Sequence, residues 1–381
     1  MDGDLPLSSL LSQVLVAFTI EFDNAFEQQM PHRTTRGGPG GPAPPVSSSG
    51  RPMKRPWLVS MVMWSNCMQY VERAGTSVRQ LQDRARVADL DGLLARMKRW
   101  GYLTINLDPD DSRAKPPASD WLVHPTAAGR WAQHIWRPLT AEIEHRWEAR
   151  YGLDPMTELR RSLASLAEQL DAGLPDYLPV VGYGMRTPDQ PQHPPEVPAA
   201  DPALLPQSGL PTLVSRLLLA FTLEFEADGA TSLPVSANVL RILGSDEVLV
   251  RELPRRSGVS KEAIAVALGF LERGGDALVG PSASTSRAVS ARLTAKGQAR
   301  RDLARDRMAD TEARWRSRHG AVRLARVRAS LESLVGAGDA SSPLFGALEP
   351  PAGGWRAALP RPETLPHAPM VLHRGGFPDG S

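Results

Sequence analysis

One block of sequence occurs twice in this chain of 381 residues. Four apolar residues near the N-terminus recur 203 positions later (214 − 11): Leu11, Val14, Phe18 and Phe22 match Val214, Leu217, Phe221 and Phe225. A second set recurs at an offset of 168 (315 − 147): Trp147, Gly152, Ser162, Leu163 and Leu166 match Trp315, Gly320, Ser330, Leu331 and Leu334. Two copies of a sequence imply two copies of a fold, related by a pseudo-two-fold axis. We therefore expect one chain to do what a dimer of the single unit would do.

Composition narrows the class of protein. The length fits two to three domains, and 41% hydrophobic residues are enough for a packed core in each copy. No apolar run is long enough to span a membrane and no signal peptide is recognised, so we expect a cytoplasmic protein without membrane contact. A single cysteine, Cys67, rules out an internal disulfide and a cysteine-based zinc cluster. The net charge of +2 neither supports nor rejects nucleic acid as a partner.

Three stretches rich in proline and glycine divide the chain, and such composition predicts flexible connectors. The predicted organisation is a first domain at 5–184 with a flexible insertion at 31–56, a linker at 185–209, a second domain at 210–335 and a tail at 336–381. A similar peptide follows each copy, beginning at Leu174-Pro175 and at Leu365-Pro366. A docked arm is one interpretation of this peptide, and a linker is the one we favour.

Each copy is predicted to form the same series of elements. Apolar spacing predicts an opening helix in each copy, followed by helices at 57–71, 77–84 and 88–100 in the first and at 236–243, 247–255 and 260–273 in the second. Extended segments at 102–107 and 121–123, and at 277–279 and 289–293, each predict a two-stranded wing. A long helix then starts at a capping threonine, Thr126 or Thr294. Pro138 is expected to kink or break the first long helix.

This order is the layout of a winged helix-turn-helix. The predicted fold class is therefore mainly α with small β-wings, in two such domains. The first helix and the last two helices of each copy carry apolar stripes that one copy cannot cover. We expect these stripes to pack against those of the other copy, which makes the two domains an intramolecular pseudo-dimer.

The wing motifs resemble those of the MarR family of bacterial transcriptional regulators, in which Asp-x-Arg at the wing tip precedes Leu-Thr-x-x-Gly. The second copy has Thr285-Ser286-Arg287 and then Leu293-Thr294-Ala295-Lys296-Gly297; the first has Asp111-Ser112-Arg113 and then Pro125-Thr126-Ala127-Ala128-Gly129. The resemblance covers about 5–173 and 210–335. It implies a regulator that binds double-stranded DNA as a dimer, with the recognition helix in the major groove and the wing arginine in the minor groove. It also implies a small-molecule effector.

Candidate DNA-binding residues lie at the wings, the turns and the start of one recognition helix. They are Arg113 and Arg287 at the wing tips, Arg84, Arg86, Arg255 and Arg256 beside the turns, Ser260 and Lys261 at the helix start, and Arg292 and Lys115 as secondary contacts. Ser260 can cap its helix or contact phosphate, and capping is favoured. Lys261 is either a DNA contact or a solvated surface lysine. The first recognition helix is poor in donors, since it begins Ala88-Asp89-Leu90-Asp91-Gly92.

No enzyme is predicted. The histidines form no His-Glu-x-x-His motif, and Gly37 to Gly41 lacks the Gly-Lys-Ser/Thr ending of a phosphate-binding loop. No cofactor or metal is expected, and tryptophans on the long helices are interpreted as core rather than as a ligand cage. The alternative function is a degenerate winged-helix pair that binds proteins or small ligands without reading DNA sequence. The acidic first recognition helix, the apolar second one and the low net charge favour that alternative.

Overall fold

The computed structural model describes residues 5–34, 38–46, 50–85, 87, 90–170, 174, 208–227, 231–283, 288–350, 352, 357 and 362–368. These residues are mainly helical, with small antiparallel sheets. The helices of the first half are α1 (Leu7–Gln29), α2 (Met61–Asn66), α3 (Val78–Ala85), α4 (Leu90–Trp100), α5 (Ala127–Tyr151) and α6 (Leu153–Ala167). Those of the second half are α7 (Leu210–Glu226), α8 (Asn238–Leu240), α9 (Leu253–Ser257), α10 (Lys261–Arg273), α11 (Ala295–His319) and α12 (Ala321–Val335).

Each half carries a small three-stranded sheet. The strands are β3 (Thr76–Ser77), β4 (Leu103–Asn106) and β5 (Leu122–Pro125) in the first half, and β6 (Val248–Leu249), β7 (Ala277–Pro281) and β8 (Val289–Leu293) in the second. The strand orders are β3-β5-β4 and β6-β8-β7, with every pair antiparallel. The predicted two-stranded wings therefore gain a third, two-residue strand that precedes the short helix α3 or the turn before α9. A strand this short leaves no alternating pattern in the sequence.

The predicted second helix is shorter than its sequence pattern indicated. Helix α2 starts at Met61 rather than Trp57, and a 3-10 turn (Met68–Tyr70) follows it. Trp57 and Leu58 are instead extended, because their N–H groups donate to the carbonyls of Trp100 and Arg33. In the second half a π-helical turn (Leu233–Ala237) leads into α8.

Two parts of the first connector are ordered. Strands β1 (His32–Thr34) and β2 (Gly38–Gly40) form a hairpin, and His32 is buried. Arg55 donates from Nη1 to the Gly40 carbonyl at 2.7 Å. The expectation of a flexible insertion at 31–56 is therefore corrected for its described residues. Backbone pairing, which composition does not reveal, holds them in place.

The halves meet through their outer helices. Helices α1 and α7 contact each other, as do α6 and α12, α1 and α12, and α6 and α7. Phe18, Phe22, Phe221 and Phe225 are all at most 2% exposed within one continuous apolar core. Burying aromatic side chains of this size is the main favourable term in packing such a bundle. We call α1, α5, α6, α7, α11 and α12 the central bundle.

The two groups of smaller elements differ in how they attach to the central bundle. We call 57–125 the first lobe and 233–293 the second lobe. Leu81, Leu94 and Met97 of the first lobe belong to the same apolar core as the bundle. The second lobe has an apolar core of its own, built around Leu243, Leu253, Ile264 and Leu271. The apolar core of the second lobe is separate from that of the central bundle, so the position of this lobe relative to the bundle depends more on specific polar contacts than that of the first lobe does.

The starts of the long helices confirm the threonine caps. Thr126 Oγ1 accepts from the Gly129 N–H and Thr294 Oγ1 from the Gly297 N–H, each at 3.0 Å. A side chain at Gly129 would overlap the Tyr102 carbonyl oxygen, and one at Gly297 would overlap the Asp276 carbonyl oxygen. The glycine of the Thr-x-x-Gly motif is therefore required because the helix start lies against the backbone of the residue that precedes β4 or β7. Helix α5 continues through Pro138 without a break. Proline has no N–H to donate, so one helix carbonyl loses its partner; because Pro138 is exposed, that carbonyl can face water.

The expectation of a flexible tail at 336–381 does not hold for its described parts. A 3-10 helix (Pro343–Ala347) packs on the bundle, where Leu344 and Phe345 are buried. Residues 362–368, which we call the C-terminal strap, lie across α1 and the second lobe, and Leu365 is fully buried. Ser12 Oγ donates to the Pro366 carbonyl at 2.9 Å, and the Asn238 side chain bonds the backbone of Ala368 at both its amide atoms. Of the repeated peptide in the first copy, only Leu174 lies within the described residues.

Candidate DNA-binding surface

Helix α10 carries the residues predicted for the recognition helix of the second copy. Ser260 Oγ accepts from the Ala263 N–H at 3.2 Å, and Ser260 is 8% exposed. Capping is therefore its observed role, and little of its hydroxyl is left to meet a phosphate. Lys261 is exposed at the first turn of the helix. Ala263, Ile264, Ala267, Leu268 and Leu271 form the buried face. Lys261 is consequently the accessible donor at this helix start.

Helix α4 occupies the corresponding place in the first lobe. It begins at Leu90 and carries Asp91 in its first turn. Leu93, Leu94 and Met97 are buried in the shared core. Ala88, Asp89 and the candidate Arg86 lie outside the described residues. The described start of α4 offers a carboxylate rather than a donor, and this arrangement is unfavourable beside a phosphate.

Arg113, the arginine predicted at the wing tip of the first copy, is held by two carboxylates. Arg113 Nη2 lies 2.6 Å from Asp111 Oδ2 and 2.7 Å from Asp120 Oδ2. Hydrogen bonds from the Arg113 side chain and backbone N–H lower the pKa of Asp111 to about 2, and bonds from Arg113 and Arg79 lower that of Asp120. Arg79 binds the second oxygen of Asp120 at 2.7 Å, which ties the wing loop to α3. The predicted minor-groove arginine thus has a structural partner within its own lobe.

Two of the arginines beside the turns are also paired. Arg84 Nη1 lies 2.8 Å from Glu72 Oε1, with its guanidinium 5.5 Å from the centre of the Tyr70 ring. Arg255 Nε donates to Glu363 Oε1 of the C-terminal strap at 3.0 Å, and the Glu363 N–H donates to the Arg255 carbonyl at 2.8 Å. Both ion pairs are exposed, so each is weak on its own. An incoming phosphate can compete for either arginine.

Three candidates are exposed without an ion pair among the described residues: Arg256, Arg292 and Lys115. Arg287, the arginine predicted at the wing tip of the second copy, lies outside the described residues. Arg256 and Arg292 belong to the same lobe as Lys261, on α9 and β8 respectively. The accessible cations among the candidates therefore gather on the second lobe, with Lys115 alone on the first.

Sequence reasoning did not identify the carboxylates that hold these arginines. Asp111, two residues before Arg113, could have been found from the short spacing within Asp-Ser-Arg. Asp120 and Glu363 could not have been found from the sequence, because only the folded chain brings them close to Arg113 and Arg255. Three of the four tryptophans on the long helices are core residues as interpreted: Trp136, Trp147 and Trp315 are at most 1% exposed. The interpretation is wrong for Trp131, which is 38% exposed.

Comparisons with protein-family models, with curated proteins and with solved structures found no match to this chain. Among the described residues, no helix combines the length and hydropathy needed to cross a membrane. The same part of the chain has no cluster of three or more His, Cys, Asp or Glu side chains suited to a metal ion.

Proposed function

We propose that this chain is a DNA-binding transcriptional regulator of MarR-like type, in which two winged helix-turn-helix domains act as an intramolecular pseudo-dimer. One observation carries the proposal: equivalent sheet-and-helix lobes project from a bundle to which both halves contribute equivalent helices. A regulator that binds as a dimer needs two such lobes held at a fixed separation. A single chain with unequal halves suits an asymmetric DNA site.

The accessible charges support unequal roles for the two lobes. Lys261, Arg256 and Arg292 provide three exposed cations on the second lobe. On the first lobe Arg113 and Arg84 are bound to carboxylates, and α4 begins with an acidic turn. We therefore propose that the second lobe supplies most of the affinity for DNA and the first lobe a weaker half-site. A small-molecule effector and a cytoplasmic location remain parts of this proposal.

The test is a fluorescence anisotropy titration of the full chain on genomic DNA fragments at several salt concentrations. The variant Arg256→Ala plus Lys261→Ala should weaken binding, because each removes a phosphate or base contact. The dependence of log K on log salt should flatten by about one per lost phosphate contact. Arg316→Ala plus Arg326→Ala, on exposed positions of α11 and α12, removes the same charge from the bundle. This control should keep the wild-type slope, and equal losses in both variants would reject the lobe assignment.

A second candidate function is protein binding by a winged-helix pair that no longer reads DNA. The pairing of Arg113 with Asp111 and Asp120 favours it, because the predicted minor-groove contact is already satisfied within the protein. Wild-type protein that shows no salt-dependent affinity for any DNA fragment would select this candidate.

A further inference from the structure

A groove lined mainly by polar and charged residues lies on the first half, beside the candidate Arg84 that pairs with its lining residue Glu72. It has a volume of about 670 Å³ and runs between the 68–73 segment and the start of α5. Its lining is formed by Gln69, Val71, Glu72, Arg73, Arg130, Gln133, His134, Arg137 and Pro138. The volume falls within the range of small-molecule sites, roughly 300–1,000 Å³.

The base of the groove is fixed by hydrogen bonds. Gln133 Nε2 donates to the carbonyls of Met68 at 2.8 Å and Val71 at 2.7 Å, and Gln133 is 8% exposed. Arg130 Nη1 donates to the Pro125 carbonyl at 2.9 Å. These bonds hold α5 against the 68–71 turn and restrict the Arg130 side chain. The base of the groove is therefore preformed, which lowers the entropy cost of binding a ligand there.

The charge of the groove is strongly positive. Arg73, Arg130 and Arg137 line it, and none of them has an ion-pair partner among the described residues. The one carboxylate in the lining, Glu72, is already paired with Arg84 at 2.8 Å. Three guanidinium groups beside a single neutralised carboxylate attract an anion, and their planar donors match the oxygens of phosphates and carboxylates.

The second half has internal partners at the matching positions, each 168 residues later. Arg301 stands where the first half has Gln133, and its Nη1 donates to the Leu243 carbonyl at 3.1 Å. Asp302 stands in place of His134 and lies 3.4 Å from both Arg301 and Arg305. Arg305, the counterpart of Arg137, is thus neutralised by a neighbour. The open cationic groove is specific to the first half and does not follow from the duplication itself.

We propose that this groove binds a small, multiply charged oxyanion, whose charged groups are phosphates or carboxylates. The ligand is held by Arg73, Arg130 and Arg137, with the Gln69 amide and the His134 ring as further polar contacts. The proposal does not depend on DNA binding, since it concerns the groove and its charges alone.

The experiment is isothermal titration calorimetry of the full chain at low ionic strength with pyrophosphate and, separately, with citrate. Wild-type protein should bind at least one probe saturably, with one site per chain. Arg130→Gln plus Arg137→Gln should weaken that binding about tenfold or more, because two charged hydrogen-bond donors are lost. The matched control is Arg305→Gln plus Arg316→Gln, which should stay within about twofold of the wild type. Tighter binding of pyrophosphate indicates a phosphorylated ligand, and tighter binding of citrate a polycarboxylate.

The single variant Arg137→Gln guards against misfolding, since no hydrogen bond of this side chain is found in the described chain; its circular dichroism should match the wild type. Absence of saturable binding with both probes, or equal weakening in the groove and control variants, would overturn the proposal. So would a groove variant that loses affinity for DNA while binding pyrophosphate normally, because the arginines would then be contacts to the DNA backbone. A wild-type chain that binds pyrophosphate but no DNA would reject the proposed function and leave the groove in place.

Discussion

The indole Nε1 of Trp147 donates a hydrogen bond to Glu21 at 2.9 Å, and the second half repeats this contact. There Trp315 Nε1 donates to Glu224 at 3.0 Å, at positions that match in the duplication. Each glutamate also binds arginine of the same long helix: Arg150 in the first half, Arg314 and Arg318 in the second. The duplication thus retains a polar contact between the first and the long helix, in addition to the apolar stripes.

The two clusters differ in burial, and this difference predicts unequal effects on stability. The Glu21 side chain is 5% exposed and that of Glu224 is 18% exposed. We expect Glu21→Gln to lower the free energy of unfolding by about 2 kcal/mol, because it removes one partner of a buried charge pair. Glu224→Gln should cost about 1 kcal/mol or less, since water solvates its arginines. Urea unfolding of both variants checks this; equal losses would show that burial does not set the cost.

Much of the helical framework could be predicted from the sequence. The apolar spacing predicted α1, α4, α10 and α12 within a few residues, and the threonine and glycine signals placed the starts of α5 and α11. These features are local: a cap, a glycine or a repeating apolar face leaves its mark within a few positions. The expected contact between the halves followed from apolar stripes that a single copy could not bury.

The tail and the states of the candidate arginines could not be predicted in this way. The strap is bound through its backbone groups to Ser12 and Asn238, and composition carries no trace of such bonds. Arg113 is bound by Asp120 only because the chain between these two residues turns back on itself. Both depend on tertiary contacts, so a pattern read along the chain cannot show them.

His367 makes the C-terminal strap sensitive to pH. Desolvation by burial, together with the nearby positive charge of Arg241, lowers the pKa of His367 from 6.5 to about 3. Its ring Nε2 lies 3.2 Å from Thr364 Oγ1, and its backbone N–H donates to Asn238 Oδ1. Because the folded state favours the neutral ring, the stabilisation is complete above about pH 6.5. It is lost progressively as the pH falls from 6.5 towards 3.

At pH 5 the loss should reach about 2 kcal/mol at most, because pH 5 lies about 1.5 pH units below the unfolded pKa of 6.5. The measurement is the thermal midpoint at pH 7.5 and pH 5 for the wild type and for His367→Gln. The wild type should lose more stability between these pH values than the variant, in which position 367 does not titrate. Parallel losses would mean that the protonation of other groups accounts for the whole change.

Gly258 tests the contact between the strap and the second lobe. Its φ is +76°, and a side chain there would overlap the Thr364 carbonyl oxygen. Gly258→Ala should therefore combine left-handed strain of about 1 kcal/mol with displacement of the strap. Gly275→Ala is the matched control: its φ is +69° and nothing lies within 4 Å of the added carbon.

Limited proteolysis separates the two effects. The strap should be cleaved faster in Gly258→Ala than in Gly275→Ala, while both lose a similar amount of stability to backbone strain. The second lobe has an apolar core separate from the bundle, so release of the strap should also raise the exchange of amide hydrogens around Asn238. Identical cleavage in the two variants would show that the position of the strap does not depend on the absence of a side chain at Gly258.

Asp120 should restrain the wing of the first lobe. It binds Arg113 and Arg79 in the folded protein, at 2.7 Å from each. In Asp120→Asn one carboxylate is removed, so Arg113 is less tightly held and the wing is more positive. We expect affinity for DNA to rise about threefold at low salt, with a smaller change at high salt because the effect is electrostatic.

Asp154→Asn, on an exposed first turn of α6, changes the net charge equally and should leave affinity within about 1.5-fold of the wild type. A similar rise in both variants would reflect net charge alone. An unchanged affinity in Asp120→Asn, in a protein that does bind DNA, would place Arg113 away from the DNA and leave the second lobe as the source of affinity.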